Sequence, residues 1–97
     1  MKTYKIIDEF EDIINEIEYT AHYKKYIKEH SKSIDWKNRN QYKYYLQFNF
    51  HSNEISVGLA NGWKSQGVIY ASSEKIIFDA VKTIGEDNIK KYVLGVR

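Results

Sequence analysis

Apolar residues in the first thirty positions recur at the three- and four-residue spacings of a helix, but they fall into two separate stripes. At about 100° per residue, Ile6, Phe10, Ile13, Ile14, Ile17 and Ala21 share one face. That stripe would continue through Lys24 and Lys28, so it stops at Ala21. A second stripe, Tyr19, Tyr23, Tyr26, Ile27 and His30, lies about a third of a turn or more around the helix. The first half of this second face is acidic, through Asp8, Asp12 and Glu16. Two arrangements fit the pattern. A kink around Thr20–His22 would let both stripes meet one core. Alternatively, the second stripe meets something outside the fold.

Residues 31–42 are polar and aperiodic, and they read as a connector in which Ile34 and Trp36 pin the chain to the fold. From Lys43 to Phe50 the pattern alternates, with Tyr44, Leu46, Phe48 and Phe50 on one side and Tyr45, Gln47 and Asn49 on the other. His51-Ser52-Asn53 predicts a tight turn, and Ile55, Val57 and Leu59 alternate with Ser56 and Gly58 in a second strand. Asn61-Gly62 is a further turn signal before a short third strand at 68–71. Ser72 or Ser73 can cap the next helix, with Glu74 in its first turn where the dipole favours an anion. Ile76, Ile77, Ala80, Val81 and Ile84 give that helix one apolar face, and Gly85 is placed to end it in the left-handed conformation. A last short helix carries Ile89, Tyr92, Val93 and Val96. The predicted order is α-β-β-β-α-α: a long N-terminal helix, a three-stranded antiparallel meander and two C-terminal helices. The expected class is α+β in one domain over 1–97, with the helix at 1–30, the connector at 31–42, the sheet at 43–71 and the helical C-terminus at 72–97.

Composition narrows the chemistry. There is no cysteine, which removes disulfides, thiol nucleophiles and thiolate metal sites. His22, His30 and His51 do not stand at the spacing that places two imidazoles on one helical turn, so no metal site is expected. No Gly-x-Ser-x-Gly elbow or phosphate-cradling glycine cluster occurs among five scattered glycines. The expectation is a protein that binds rather than catalyses, with no cofactor. No run of apolar residues has membrane-spanning length, and the early acidic residues do not fit a signal peptide, which points to an intracellular, cytoplasmic chain.

Fifteen aromatic residues, nine of them Tyr, are the unusual feature. Tyrosine buries a ring while keeping a polar tip, which suits both a thin sheet and an interface. Net charge is only +2, yet residues 8–18 hold six acids and no base, while 32–43 hold Lys32, Lys37, Arg39 and Lys43 against Asp35. In the second region Trp36, Lys37, Arg39, Tyr42, Lys43 and Tyr45 interleave bases with rings, a composition that can stack nucleobases and neutralise phosphates. The alternative is a strand entry whose rings pack and whose bases are solvated. Trp63, at the Asn61-Gly62 turn, either folds back on the core or marks a contact surface.

Three segments carry a resemblance: Ile34-Asp35-Trp36 through Asn40–Tyr45, then Gly67–Glu74, then Ile84–Tyr92 with Gly95-Val96. In order and spacing they resemble the C-terminal domain of small uncharacterised phage and prophage accessory proteins of low-GC Gram-positive bacteria. The likeness covers roughly residues 30–97, and those relatives carry a β-rich module before the long helix, whereas this chain begins almost at the helix. The resemblance implies no catalytic residues. It implies an accessory protein of a mobile element, a class that includes anti-CRISPR inhibitors of host defence. The leading expectation is therefore a non-enzymatic inhibitor of a host protein complex such as a CRISPR effector nuclease. Asp8, Asp12 and Glu16 would meet a basic groove there, with Tyr19, Tyr23, Tyr26, Ile27 and Trp63 as anchors. The alternatives are a single-stranded nucleic-acid or RNA-binding module using the 36–45 segment, and a homodimer formed through the second helical stripe.

Overall fold

A helix of 29 residues, α1 (Lys2–His30), leads the chain and runs without interruption past Thr20–His22 in the computed structural model. The structure describes residues 2–60, 64–65 and 67–96, with side chains from Glu9 onward. Three strands follow, β1 (Lys43–Asn49), β2 (Glu54–Ala60) and β3 (Tyr70–Ala71), and then α2 (Glu74–Ile84) and a short α3 (Glu86–Asn88). The fold is α+β, with α1 first, an antiparallel three-stranded sheet next and helices last. Its longest dimension is 55 Å against 29 and 24 Å for the other two. An α1 of about 43 Å accounts for most of that length.

Alternation builds the sheet. Leu46 pairs with Val57 and Tyr44 with Leu59 in the antiparallel β1–β2 register. Tyr44, Leu46, Ile55 and Val57 pack against the core. The Asn49 carboxamide oxygen turns the hairpin by accepting the N–H groups of His51 (2.9 Å) and Ser52 (3.3 Å). Asn53 then takes φ 58°, a conformation that Asn tolerates better than most residues.

The strand order is β2-β1-β3, so the expected meander is corrected: β3 crosses over to pair with β1, not β2. In that position Ala71 lies opposite Tyr44 and is completely buried, and the chain passes through Ser72-Ser73 into α2 above the middle of the sheet. A third strand beside β2 would have put Ala71 away from the core formed by α1 and α2.

Ser73 caps α2 as expected, its Oγ accepting the Ile76 N–H at 3.4 Å. Gly85 has φ 108° and ψ 126°, outside the left-handed helical region that its cap position predicts. A Cβ there would also stand 3.1 Å from the Asn88 amide nitrogen, which itself donates to the Ile84 carbonyl. The expected last helix is mostly a π-helical turn, Ile89–Val93, closed by the Leu94 N–H donating to the Ile89 carbonyl at 2.9 Å. Five-residue hydrogen bonding of this kind is uncommon and is not readable from apolar spacing.

The core is Tyr23 and Ile27 from α1, Ala71 from β3, Ile77, Ala80 and Val81 from α2, and Ile89 from the π-helical turn. Here the structure reverses the reading of α1. The stripe expected in the core is exposed at Phe10, Ile13, Ile14 and Ile17, and the stripe expected to lie partly outside supplies the core residues. No kink is needed, because only one stripe faces the domain.

Candidate partner-binding surface

α1 is oriented by what grips its far side. The Tyr19 ring stacks on Tyr92 at 5.1 Å and 9°. The Asn15 amide donates to the Tyr92 hydroxyl at 3.4 Å, and Lys91 Nζ lies 3.9 Å from an Asp12 carboxylate oxygen. Deeper in, Tyr23 and Ile27 are buried at 1% and 2% exposure. At about 100° per residue, Asp12, Asn15, Tyr19, Tyr23 and Ile27 centre on one face, and Phe10 and Ile17 point roughly half a turn away from it. Gripping the first face leaves the second in water.

The uncovered face is large-chain and apolar: Phe10 is 65% exposed, Ile13 53%, Ile14 41% and Ile17 64%. Single exposed apolar residues are ordinary, but four contiguous ones on one helix face form a patch of the kind that marks an interaction site. Burying each Phe or Ile side chain would contribute about 1.5–3 kcal/mol. The spacing Phe10, Ile13, Ile17 is the three-four alternation of a helix-pairing seam. Carboxylates frame it on both sides. By the same helical geometry, Glu11 and Glu18 lie along one flank, and Glu9 and Glu16 along the other, all of them exposed. Toward the C-terminal end a shallow groove continues the patch through Thr20, Ala21 and Lys24.

The residues expected to bind a partner are dispersed by the fold. Tyr23 and Ile27 are core residues and present no surface. Burial pushes the Tyr23 phenol well above its ordinary pKa, and no partner for its hydroxyl occurs among the described residues. Tyr19 is half-buried against Tyr92, and Tyr26 is half-buried with its ring 4.0 Å from that of His30. The Tyr26 carbonyl can only accept, so His30 donates to it through Nδ1 at 2.8 Å. Asp12 is turned to the Lys91 side, while Glu16 stays on the flank of the apolar patch. The Asp8 and Ile6 side chains, Trp63 and the Asn61-Gly62 turn lie outside the described residues.

The basic-aromatic segment is likewise divided. Lys43 is completely buried, its Nζ donating to the Asn38 carbonyl at 2.7 Å and lying 5.4 Å from the Trp36 ring centroid. Trp36 packs edge-on against Tyr70 at 4.7 Å, and Tyr45 makes a similar contact with Tyr70 at 5.8 Å. These residues form the outer layer of the sheet and hold the connector down. Only Lys37, Arg39 and Tyr42 of the six are exposed, so the fold does not present all of these bases and rings together at the surface.

The seam Phe10, Ile13, Ile14 and Ile17 was missed as surface because its apolar spacing reads equally well as a core stripe. Its acidic framing on both flanks was the available signal. Among the described residues no helix is long and apolar enough to cross a membrane. No family model, curated protein or solved structure matches the chain.

Proposed function

We propose that this protein acts by binding another protein, inserting the Phe10/Ile13/Ile14/Ile17 face of α1 into an apolar groove rimmed by Lys and Arg. The observation that carries this reading is the exposure of those four side chains opposite the face that packs on the domain. The framing carboxylates select the occupant. Two copies of α1 laid face to face would oppose Glu9, Glu11, Glu16 and Glu18 with the same residues, in either orientation, because all four lie within the short stretch that forms the patch. The acids also disfavour an anionic lipid surface. A basic-rimmed groove is complementary on both counts: carboxylates speed the encounter, and desolvated Phe and Ile hold it.

Grooves with that rim commonly hold nucleic acid, so filling one would block it. On this reading the protein is a phage-derived inhibitor in the host cytoplasm, acting on a defence complex such as a CRISPR effector nuclease. The support for that target is the resemblance of roughly residues 30–97 to the C-terminal domain of small phage accessory proteins. The test is target-DNA cleavage by purified CRISPR effector nucleases with wild-type protein and with I13K/I17K. Inhibition by wild-type protein that disappears in the variant is expected. Equal inhibition by both would remove the stripe from the mechanism, and no inhibition of any effector would remove this target class.

A further inference from the structure

Away from that stripe, the C-terminal end of α1, the connector and the segment leading into β3 surround an open cavity of about 490 Å³. Four lysines line it, Lys24 and Lys28 from α1, Lys32 from the connector and Lys64 from the segment before β3, together with the Trp36 and Tyr70 rings. Among the described residues no carboxylate lines the cavity. Among the described residues none of these four lysines is in an ion pair, whereas Lys25, Lys90 and Lys91 each are. Lys28 lies in the last turn of α1, where a cation offsets the helix dipole. That role does not extend to Lys24, a turn earlier, or to Lys32 and Lys64 outside the helix.

The walls are tied in place. The Lys32 N–H donates to Ser72 Oγ at 2.9 Å, and the Ser72 N–H returns a bond to Ser31 Oγ at 3.3 Å. Gln41 clamps the connector through both ends of its amide, accepting from the Asp35 N–H at 2.7 Å and donating to the Ser33 carbonyl at 3.0 Å. The Ser65 N–H donates to the Tyr70 hydroxyl at 2.9 Å, which holds the neighbour of Lys64 against the ring at the cavity wall. Tyr70 in turn fixes Trp36 from the side. Cations that line one cavity with no counter-charge among its described residues attract an anion, and rings at the same wall attract a flat apolar group.

We infer that this cavity binds the phosphate and base of a nucleotide, either free or as a unit of a single strand. Lysines act there as point charges on the phosphates, and the rigid Trp36–Tyr70 corner supplies the surface for the base. The volume falls within the range of small-ligand sites, about 300–1,000 Å³. The site does not depend on the α1 stripe, so I13K/I17K retains it.

Titration calorimetry at low salt with inorganic phosphate, ADP and a single-stranded eight-nucleotide DNA tests the assignment, using wild-type protein, K28Q/K32Q and the remote control K75Q. ADP or the oligonucleotide binds wild-type and K75Q equally, K28Q/K32Q binds at least tenfold more weakly, and affinity falls as salt rises. ADP binding identifies a free nucleotide as sufficient, and binding of the oligonucleotide alone identifies a strand. Inorganic phosphate binding as tightly as ADP would overturn the role of the rings. Absence of binding to all three probes, or unchanged binding by K28Q/K32Q, would overturn the site.

Discussion

The Tyr19 ring lies flat on Tyr92, 73 positions later in the chain, with centroids 5.1 Å apart and planes within 9°. This contact decides which side of α1 is inside. It closes the π-helical turn over one helix face, and the opposite face, bearing Phe10 and Ile17, remains uncovered. A stacked aromatic pair contributes about 0.5–1.5 kcal/mol beyond its burial. Urea unfolding of Y19A, Y92A and the double variant is expected to show a coupling of that size. Strictly additive losses would mean that the stack does not orient the helix.

Tyr23 gives a second prediction. Its hydroxyl is buried with no partner among the described residues, and burial raises its pKa above the ordinary 10. Removing a buried unpaired polar group is neutral or favourable, so Y23F is expected to match or exceed wild-type stability by about 1 kcal/mol near neutral pH. The sign of the pH effect follows from linkage. The unfolded chain releases this proton near pH 10 and the folded chain only above it, so Tyr23 contributes no pH dependence below 10 and lowers stability as pH rises past it. Urea midpoints between pH 8 and 11 should therefore fall less steeply for Y23F than for wild type. Parallel curves would contradict the burial of this phenol.

Gly58 sits opposite Tyr45 in the β1–β2 register, and the Tyr45 ring crosses the space a side chain would need. A Cβ at Gly58 would come within 2.6 Å of Tyr45 Cε2 and Oη. G58A is expected to cost about 1–3 kcal/mol through overpacking. In a Y45L background the penalty should shrink, since the ring is then gone. Thermal melts of the four proteins check this, and an undiminished penalty would place the strain elsewhere.

The strands and α2 were legible because local rules and tertiary contacts agree there. Alternation of Tyr44 and Leu46 with Tyr45 marks a two-faced strand, and Ser73, Glu74 and the Ile76–Ile84 face mark a capped amphipathic helix. The α1 faces were misassigned for a physical reason. The buried face is built from Asp12, Asn15, Tyr19, Tyr23 and Tyr26, whose polar tips weaken its apolar signal, and its cover comes from residues at the far end of the chain. The seam of Phe10 and three isoleucines is more apolar and so appears more core-like, though among the described residues no element covers it. Lys43 misled in the opposite sense: a lysine in a basic-aromatic run reads as surface, yet it is a buried clamp on Asn38 and Trp36. The β2-β1-β3 order and the π-helical turn have no local signature, because both are settled by which arrangement buries Ala71 and Ile89.

The proposed mode of action stands on the uncovered α1 face, and a paired comparison tests it most directly. Immobilised wild-type protein and I13K/I17K are exposed to host lysate containing a defence complex, the captured partner is purified, and its affinity for each is measured beside thermal melts of both baits. Because Ile13 and Ile17 are exposed, the variant should melt like wild type. It should bind the partner at least a hundredfold more weakly, with the loss of two buried anchors worth about 3–6 kcal/mol. A partner held equally well by the folded variant would contradict the claim that this face of α1 is the binding surface.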